Sequence, residues 1–398
     1  MTWRLGLIAG EPSGDLIAAK VLAGLKQADP SVRPEGIGGP HLAAEGLDVW
    51  HPMHALSVFG YVDAIKRLPA LLQIYLNVKN RWLREPPAVF LGVDAPDFNL
   101  RLEHRLRKAG IPTIQFVGPS IWAWRYERIH YIREAVSHML VLFPFEEAIY
   151  KKEGIPVTYV GHPMADAIAI EPDQQAARMR LGLDQHARVI AVLPGSRASE
   201  IKLIAPRFLQ TAQRLQKHDP SLQFVVPMVN EQREREFKVY LTQFPVNHLQ
   251  IVRAQPQANG IADPIAWSVL EACDVALVAS GTATLETALF KKPMVISYAV
   301  SPLVRKIMSW KSGQERPYLP WVGLPNVLLN DFVVPELIQE DATPEKLAQA
   351  LSALLNDEPR CARIKRRFTE MHHTLRCNTP VRVAQAIDSI ATHGRSIK

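Results

Sequence analysis

The sequence has 398 residues, 47% hydrophobic and 21% charged, a make-up that argues against a largely disordered chain and supports sizeable cores. At about 100 to 200 residues per domain, the length predicts two domains. Lys and Arg number 46 against 39 Asp and Glu, and this formal +7 favours phosphates, anionic membrane surfaces or nucleic acid without choosing among them.

The opening stretch MTWRLGLIAGEPSGD lacks the build of a signal peptide and reads as a first strand running into a Gly/Ser loop. No apolar run approaches the ~18 residues that suggest a spanning helix. Cys273, Cys361 and Cys377 are odd in number and lack CxxC spacing, so packing in a reducing cytoplasm is their expected role.

Strand-like and helix-like segments alternate through the first half. RLGLIAG (4–10), EGIGG, AVFLGV (88–93), PTIQFV and HMLVLF read as strands, and GDLIAAKVLAGLKQA, NLRLEHRLRKAG and PFEEAIYKKEG as helices. The pattern breaks in GHPMADAIAIEPDQQ (161–175), the predicted domain boundary. ARVIAVLPG, SLQFVVPM, HLQIVRA, DVALVAS and PMVISYA then read as strands, with helices from about Ser199 and over TATLETALF. The tail from TPEKLAQ onward is helical by period and carries a charged face. The expected fold class is α/β, with two Rossmann-like doubly wound domains over 1–165 and 166–345 and C-terminal helices over 346–398. Such sheets take ligands beyond the carboxyl ends of their strands, here in a cleft that the two domains face.

The candidate site residues therefore lie just after strands. In AGEPSGD (Ala9–Asp15), backbone N–H groups at a helix start can receive an anion or a polar sugar group, with Ser13 and Asp15 as candidate contacts. The alternative is a tight turn with Ser13 as N-cap. GVDAPDFN (Gly92–Asn99) ends a strand with two carboxylates three residues apart, and Asp97 reads either as a helix cap or as a general base for a sugar hydroxyl. LPGSR (Leu193–Arg197) adds an arginine whose planar fork suits phosphate oxygens; a surface arginine without such a role is the alternative. In ASGTATLE (Ala279–Glu286), Ser280, Gly281 and Thr282 offer N–H groups and hydroxyls at a positive helix end. Glu286, one turn on, can accept from a ribose diol or serve only as a dipole-favoured acid.

There is no DxD triplet, HExxH run or Cys/His cluster of zinc spacing, and His372 and His373 read as surface residues. No metal or cofactor is expected, because helix N-termini and Arg197 can meet the charge of a leaving diphosphate. Residues 58–84 are unusually apolar and carry Lys66, Arg67, Lys79, Arg81 and Arg84 against Asp63. Such a helix either lies on an anionic membrane and accepts acyl chains, or is a core helix with solvated ends. Residues 301–316 are a second, weaker candidate of the same kind.

Taken in order, GEPSGD, GVDAPDFN, PSIWAWR (119–125), LFPFE (142–146), GHPMAD, LPGSR, ASGTATLE and GLPN (323–326) resemble the lipid-A-disaccharide synthases, glycosyltransferase family 19, from about residue 6 to 340. The resemblance implies the GT-B architecture and an inverting transfer of 2,3-diacylglucosamine from its UDP donor to the 6-hydroxyl of 2,3-diacylglucosamine 1-phosphate. UDP and a β-1,6 disaccharide of lipid A biosynthesis would be the products. It makes Asp97 the base, gives Arg197 the diphosphate, gives Ser280, Gly281, Thr282 and Glu286 the UDP, and puts Asn326 near the donor or reacting sugar. The acceptor falls to the first domain. It further implies peripheral association with the cytoplasmic face of the inner membrane through residues near 58–84, and no nucleic-acid partner. GT-B chains often return a C-terminal helix to the first domain, and oligomeric state stays open, a homodimer included. The sequence departs from the family's pattern in ERPYLPWVGLPN, where shorter loops occur, and matches loosely beyond about 340.

Two other functions share parts of this pattern. A UDP-N-acetylglucosamine 2-epimerase-like enzyme would use the same UDP cradle without needing an acyl-binding helix, and a sensor would bind nucleotide sugar and lipid without turnover. A nicotinamide dehydrogenase fits less well, since neither half has GxGxxG with a following acid.

Overall fold

The computed structural model describes residues 2–56, 61–253, 264–299 and 318–396. Its strands are short, mostly buried on both faces and paired in parallel, which is why they read as near-continuous apolar runs. The first sheet has β1 (Trp3–Ala9), β2 (Val32–Gly38), β3 (Asp48–Pro52), β4 (Val89–Val93), β5 (Thr113–Phe116), β6 (His138–Val141) and β7 (Val157–Tyr159), in the order β3-β2-β1-β4-β5-β6-β7. The second has β8 (Val189–Leu193), β9 (Gln223–Met228), β10 (Leu249–Arg253), β11 (Val275–Ala279), β12 (Met294–Tyr298) and β13 (Glu336–Ile338), in the order β10-β9-β8-β11-β12-β13. Strand order reverses between β1 and β4 and again between β8 and β11. These are the two switch points of doubly wound sheets.

The helices in chain order are α1 (Pro12–Ala28), α2 (Pro40–Ala44), α3 (Tyr61–Arg84), α4 (Pro96–Lys108), α5 (Arg128–Ala135), α6 (Pro144–Lys152), α7 (Pro163–Ala167) and α8 (Gln174–Leu181). They continue with α9 (Ala198–His218), α10 (Glu231–Gln243), α11 (Ile265–Ala272), α12 (Thr282–Leu289), α13 (Leu324–Leu329), α14 (Pro344–Asn356), α15 (Glu358–Leu375) and α16 (Thr379–Ser396). The chain divides into two compact units, Met1–Asp166 with Leu375–Lys398, and Ala167–Thr374. The tail treated above as one piece, 346–398, is therefore split at residue 375.

In the first unit, Val383, Ile387 and Ala391 recur every four residues on α16 and join Leu22 and Leu25 of α1 and Leu5 and Leu7 of β1 in one buried cluster. Each Val, Ile or Leu side chain among them contributes about 1.5–3 kcal/mol on full burial. The returning chain is held by the GHPMAD run. Asp166 accepts N–H bonds from Asn378 (2.8 Å) and Thr379 (2.7 Å), and the carbonyl of Leu375 accepts one from His162 (2.9 Å). Gly161 adopts φ +83, and a β-carbon there would stand 2.5 Å from that of Cys377.

Helix α3 has one buried face and one exposed apolar face. Val78 and Trp82 are fully buried; the Trp82 indole fills the space over Gly6 and Gly36 and donates to Glu35 (3.0 Å). Leu68, Leu72, Leu76 and Leu83 are exposed. Arg81, one of the basic residues expected in a membrane patch, lies 3.8 Å over the Trp50 ring and 3.9 Å from Asp48. Residues 57–60 and 301–316, and the side chains of Asp63, Lys66 and Arg67, lie outside the described residues. Among the described residues no helix is long and apolar enough to cross a membrane.

His372 was expected at the surface, but Phe368 and Met371 draw this stripe of α15 inward, and its ring is fully buried with Nδ1 2.7 Å from Lys291 Nζ. His373 is exposed, as expected.

Candidate active site

The loops after β1 and β4 meet at the switch point of the first sheet. A β-carbon on Gly10 would stand 2.9 Å from that of Ala95, so only glycine lets the two loops approach this closely. After β4 the chain turns through two successive left-handed residues, Asp94 (φ +53) and Ala95 (φ +43), before Pro96 opens α4. The N-cap is Ala95 and has no side-chain cap bond, so Asp97 does not cap this helix. Its carboxylate projects from the first turn, exposed, and accepts a hydrogen bond from Arg128 (2.8 Å). Asp94 is more enclosed, and burial raises its carboxyl above the usual range.

The GEPSGD loop also departs from its expected capping. Glu11 is the N-cap of α1 and Pro12 starts the helix, leaving Ser13 exposed within the first turn. Asp15 is fully buried. It accepts N–H bonds from Gly39 (2.7 Å), His41 (3.0 Å) and Leu42 (3.3 Å), and so ties the loop after β2 to the start of α1.

PSIWAWR and LFPFE meet beyond β5 and β6. Glu146 accepts from the Phe143 N–H (3.1 Å) and the Trp122 indole (3.2 Å), and burial pushes its carboxyl up to about 7. Phe143 stacks on Phe145 and on His162, whose buried ring is held down to about 4.

In the second unit, the LPGSR and ASGTATLE loops flank the switch point between β8 and β11. Ser196 and Arg197 donate their N–H groups to Glu200 (2.8 and 3.1 Å), so the turn satisfies its own donors. Gly195 adopts φ +107, and a β-carbon there would press on the β-carbon of Glu200 at 2.5 Å. The Arg197 guanidinium is 81% exposed and sits only loosely against Glu200, at 3.5 Å, which leaves it able to reach an anion. Glu200 lies three residues past the turn, a capping-box spacing visible in the sequence.

At the head of α12, Ser280 spends its N–H on the Ser297 carbonyl (2.8 Å), while those of Gly281, Thr282 and Ala283 have no partner among the described residues. Gly281 is at φ +156 with open space around its α-carbon. Glu286 is mostly enclosed; burial raises its carboxyl, and Oε1 accepts from the Trp267 indole (3.2 Å). Nothing in the spacing of the sequence pointed to Trp267 or Arg128, because each reaches its partner from a separate element.

Asn326 directs its side chain into the protein. It is fully buried, its amide donates to Val334 O (2.9 Å) and Glu336 (2.8 Å), and its carbonyl accepts from Val333 (2.9 Å) and Val334 (3.0 Å). With Glu336, which accepts from Val322 and Gly323, it builds the GLPN loop.

The family model described as lipid-A-disaccharide synthetase matches residues 5–387. The chain is 65% identical to the lipid-A-disaccharide synthase of Bordetella petrii, over 99% of this chain and all of the relative. It is 48% identical to that of Paraburkholderia phytofirmans, over 97% and 96%. Among solved structures, UDP-GlcNAc 2-epimerase from Neisseria meningitidis, bound to UDP-GlcNAc, matches with TM-score 0.63 at 11% identity, covering 97% of this chain and 99% of that one. A sucrose-phosphate synthase from Thermosynechococcus elongatus matches with TM-score 0.59 at 14% identity, covering 98% and 100%. At such identities these two likenesses speak for the fold alone, that of GT-B glycosyltransferases and epimerases. The near-complete match to the family model and to relatives at 48–65% identity decides the enzyme class: the chain belongs to the lipid-A-disaccharide synthase family, glycosyltransferases of lipid A biosynthesis.

Proposed function

We propose that this chain transfers 2,3-diacylglucosamine from UDP to the 6-hydroxyl of 2,3-diacylglucosamine 1-phosphate, with inversion, yielding a β-1,6-linked disaccharide 1-phosphate and UDP. The observation that carries the reading is an exposed carboxylate, Asp97, at the switch point of the first sheet, in a chain of this family. The acceptor hydroxyl gives its proton to Asp97 while its oxygen bonds to the anomeric carbon of the donor. The bond from that carbon to the UDP oxygen breaks, and its electron pair leaves with the diphosphate. Attack on the face opposite the leaving group inverts the carbon.

In this reading the first domain handles the acceptor and the second the donor. The first-turn N–H groups of α12 and the Arg197 guanidinium meet the diphosphate charge. Glu286 takes the ribose hydroxyls, with Trp267 holding one of its oxygens. Ser13 and the hydroxyls of Ser280 and Thr282 are the remaining polar contacts. Both substrates carry acyl chains, and the exposed leucines of α3, beside Lys79 and Arg84, support peripheral association with the cytoplasmic face of the inner membrane.

The test is incubation with both authentic substrates and mass analysis of the products. Disaccharide 1-phosphate and an equal amount of UDP are expected. Absence of disaccharide would sink the reading, and binding without turnover would favour the sensor.

A further inference from the structure

Beneath the Asp94–Asp97 turn lies a polar pocket that the proposed reaction does not use. Glu103 of α4 is fully buried, and neither carboxyl oxygen has a hydrogen-bond partner among the described residues. Gln115 of β5 and Asn99 of α4, also fully buried, each leave the amide oxygen without one. These groups converge on Gly92. A β-carbon there would overlap Glu103 Oε1, stand 2.7 Å from Gln115 Oε1 and 3.0 Å from the Asn99 β-carbon.

Four buried acceptor oxygens with no donor among them are an unstable arrangement, and a carboxylic acid proton is the donor this side-chain set can itself supply. The other ends of the same two amides are fully engaged. Gln115 Nε2 donates to the carbonyls of Asp94 (3.0 Å) and Val117 (2.9 Å), and Asn99 Nδ2 donates to that of Asp94 (2.8 Å). Asp94, Ala95 and Val117 are all left-handed, and for β-branched Val117 at φ +65 that conformation is costly. Gln115 therefore tethers two strained turns at once.

We propose that Glu103, as the neutral acid, donates its proton to the Gln115 amide oxygen and so acts as the positioning residue for the turn that presents Asp97. Burial, with no opposing charge, holds its carboxyl well above the usual range. Tyr131 of α5 is the titratable side chain whose field it shares. The kinetic part of this inference rests on Asp97 as the base; the structural part does not.

The experiment compares Glu103→Gln, Glu103→Met and Gln115→Met in the full chain, reading kcat, donor KM and hydrogen–deuterium exchange of the 94–99 amides. Glu103→Gln still offers a proton to the amide oxygen, so kcat within about twofold of the parent and unchanged exchange are expected. Glu103→Met keeps the volume and loses the donor: kcat falls about tenfold or more, donor KM moves less than about twofold, and the 94–99 amides exchange faster. Gln115→Met shows the same pattern, and the double variant is no worse than either single one. Should Glu103→Met fail to fold, Gln115→Met carries the test. Unchanged exchange in the methionine variants, or a Glu103→Gln variant as impaired as Glu103→Met, overturns the proposal. If Asp97→Asn keeps its turnover, the base assignment is what fails, and the exchange data still decide the clamp.

Discussion

The Asp97 carboxylate and the Arg128 guanidinium, one from the first turn of α4 and the other from the start of α5, meet at 2.8 Å. With 87% of the Asp97 side chain exposed, such a pair contributes about 0–1 kcal/mol to folding. Its consequence is orientation of the carboxylate. We expect Asp97→Asn to melt within a few degrees of the parent and to lose about 10²–10⁴-fold in kcat. A folded Asp97→Asn enzyme with near-normal turnover would remove Asp97 from the chemistry.

Glu286 is expected to govern nucleotide affinity. A hydrogen bond to a charged acceptor is worth about 1.5–3 kcal/mol, so Glu286→Gln should weaken UDP binding by about 10- to 100-fold in titration calorimetry. Trp267→Phe, which removes only the indole N–H, should cost less. Unaltered UDP affinity in Glu286→Gln would mean that the ribose is held elsewhere.

Gly195→Ala combines a left-handed backbone with a clash against Glu200, and a loss of stability of about 1–3 kcal/mol is expected from chemical denaturation. Glu200→Ala, which frees the Ser196 and Arg197 N–H groups, should cost about 0.5–2 kcal/mol. A stable Gly195→Ala protein would show that the turn tolerates another path.

Two buried groups of the first unit set opposite pH limits. Glu146 is raised from 4.5 to about 7, so its contribution is full below about 4.5 and is lost as pH climbs through 7. His162 is lowered from 6.5 to about 4, so its contribution is full above about 6.5 and is lost as pH falls toward 4, on the order of 3 kcal/mol. Glu146→Gln should therefore raise the melting temperature relative to the parent at pH 8 and gain little at pH 5. The reverse ordering would contradict a neutral buried acid.

Replacing Leu68, Leu72 and Leu76 together with Glu should abolish sedimentation with anionic vesicles while leaving the melting temperature within a few degrees, since all three are exposed. Arg81→Ala should instead destabilise the fold modestly, through loss of its contact with Trp50. Retained vesicle binding in the triple variant would move the membrane contact elsewhere.

The alternation of apolar runs made the α/β class legible, and it located the loops after β1, β4, β8 and β11 because those strands are buried on both faces. Strands β3, β7 and β13 went unread: they are short, half-exposed edges without a continuous apolar run to mark them. Asp97 showed its position but not its role, since Pro96 moves the cap back to Ala95 and only the fold brings Arg128 near. The motifs around Asp15 and Asn326 suggest ligand contacts but do not show how the two side chains are held. Their side chains fold back on N–H groups that a linear pattern cannot pair, such as Gly39 for Asp15.

The split of the first unit, with Ala167–Thr374 standing between its two segments, bears on how the protein is made. At about 5–20 residues per second, a ribosome spends tens of seconds or less on that intervening stretch. Throughout that time Ala18, Leu22 and Leu25 lack the α16 side of their cluster. The second unit has its whole sequence before α16 has emerged, so the half begun first is finished last. A message truncated near codon 375 would release a chain with a sticky, half-built core, a natural client for chaperones.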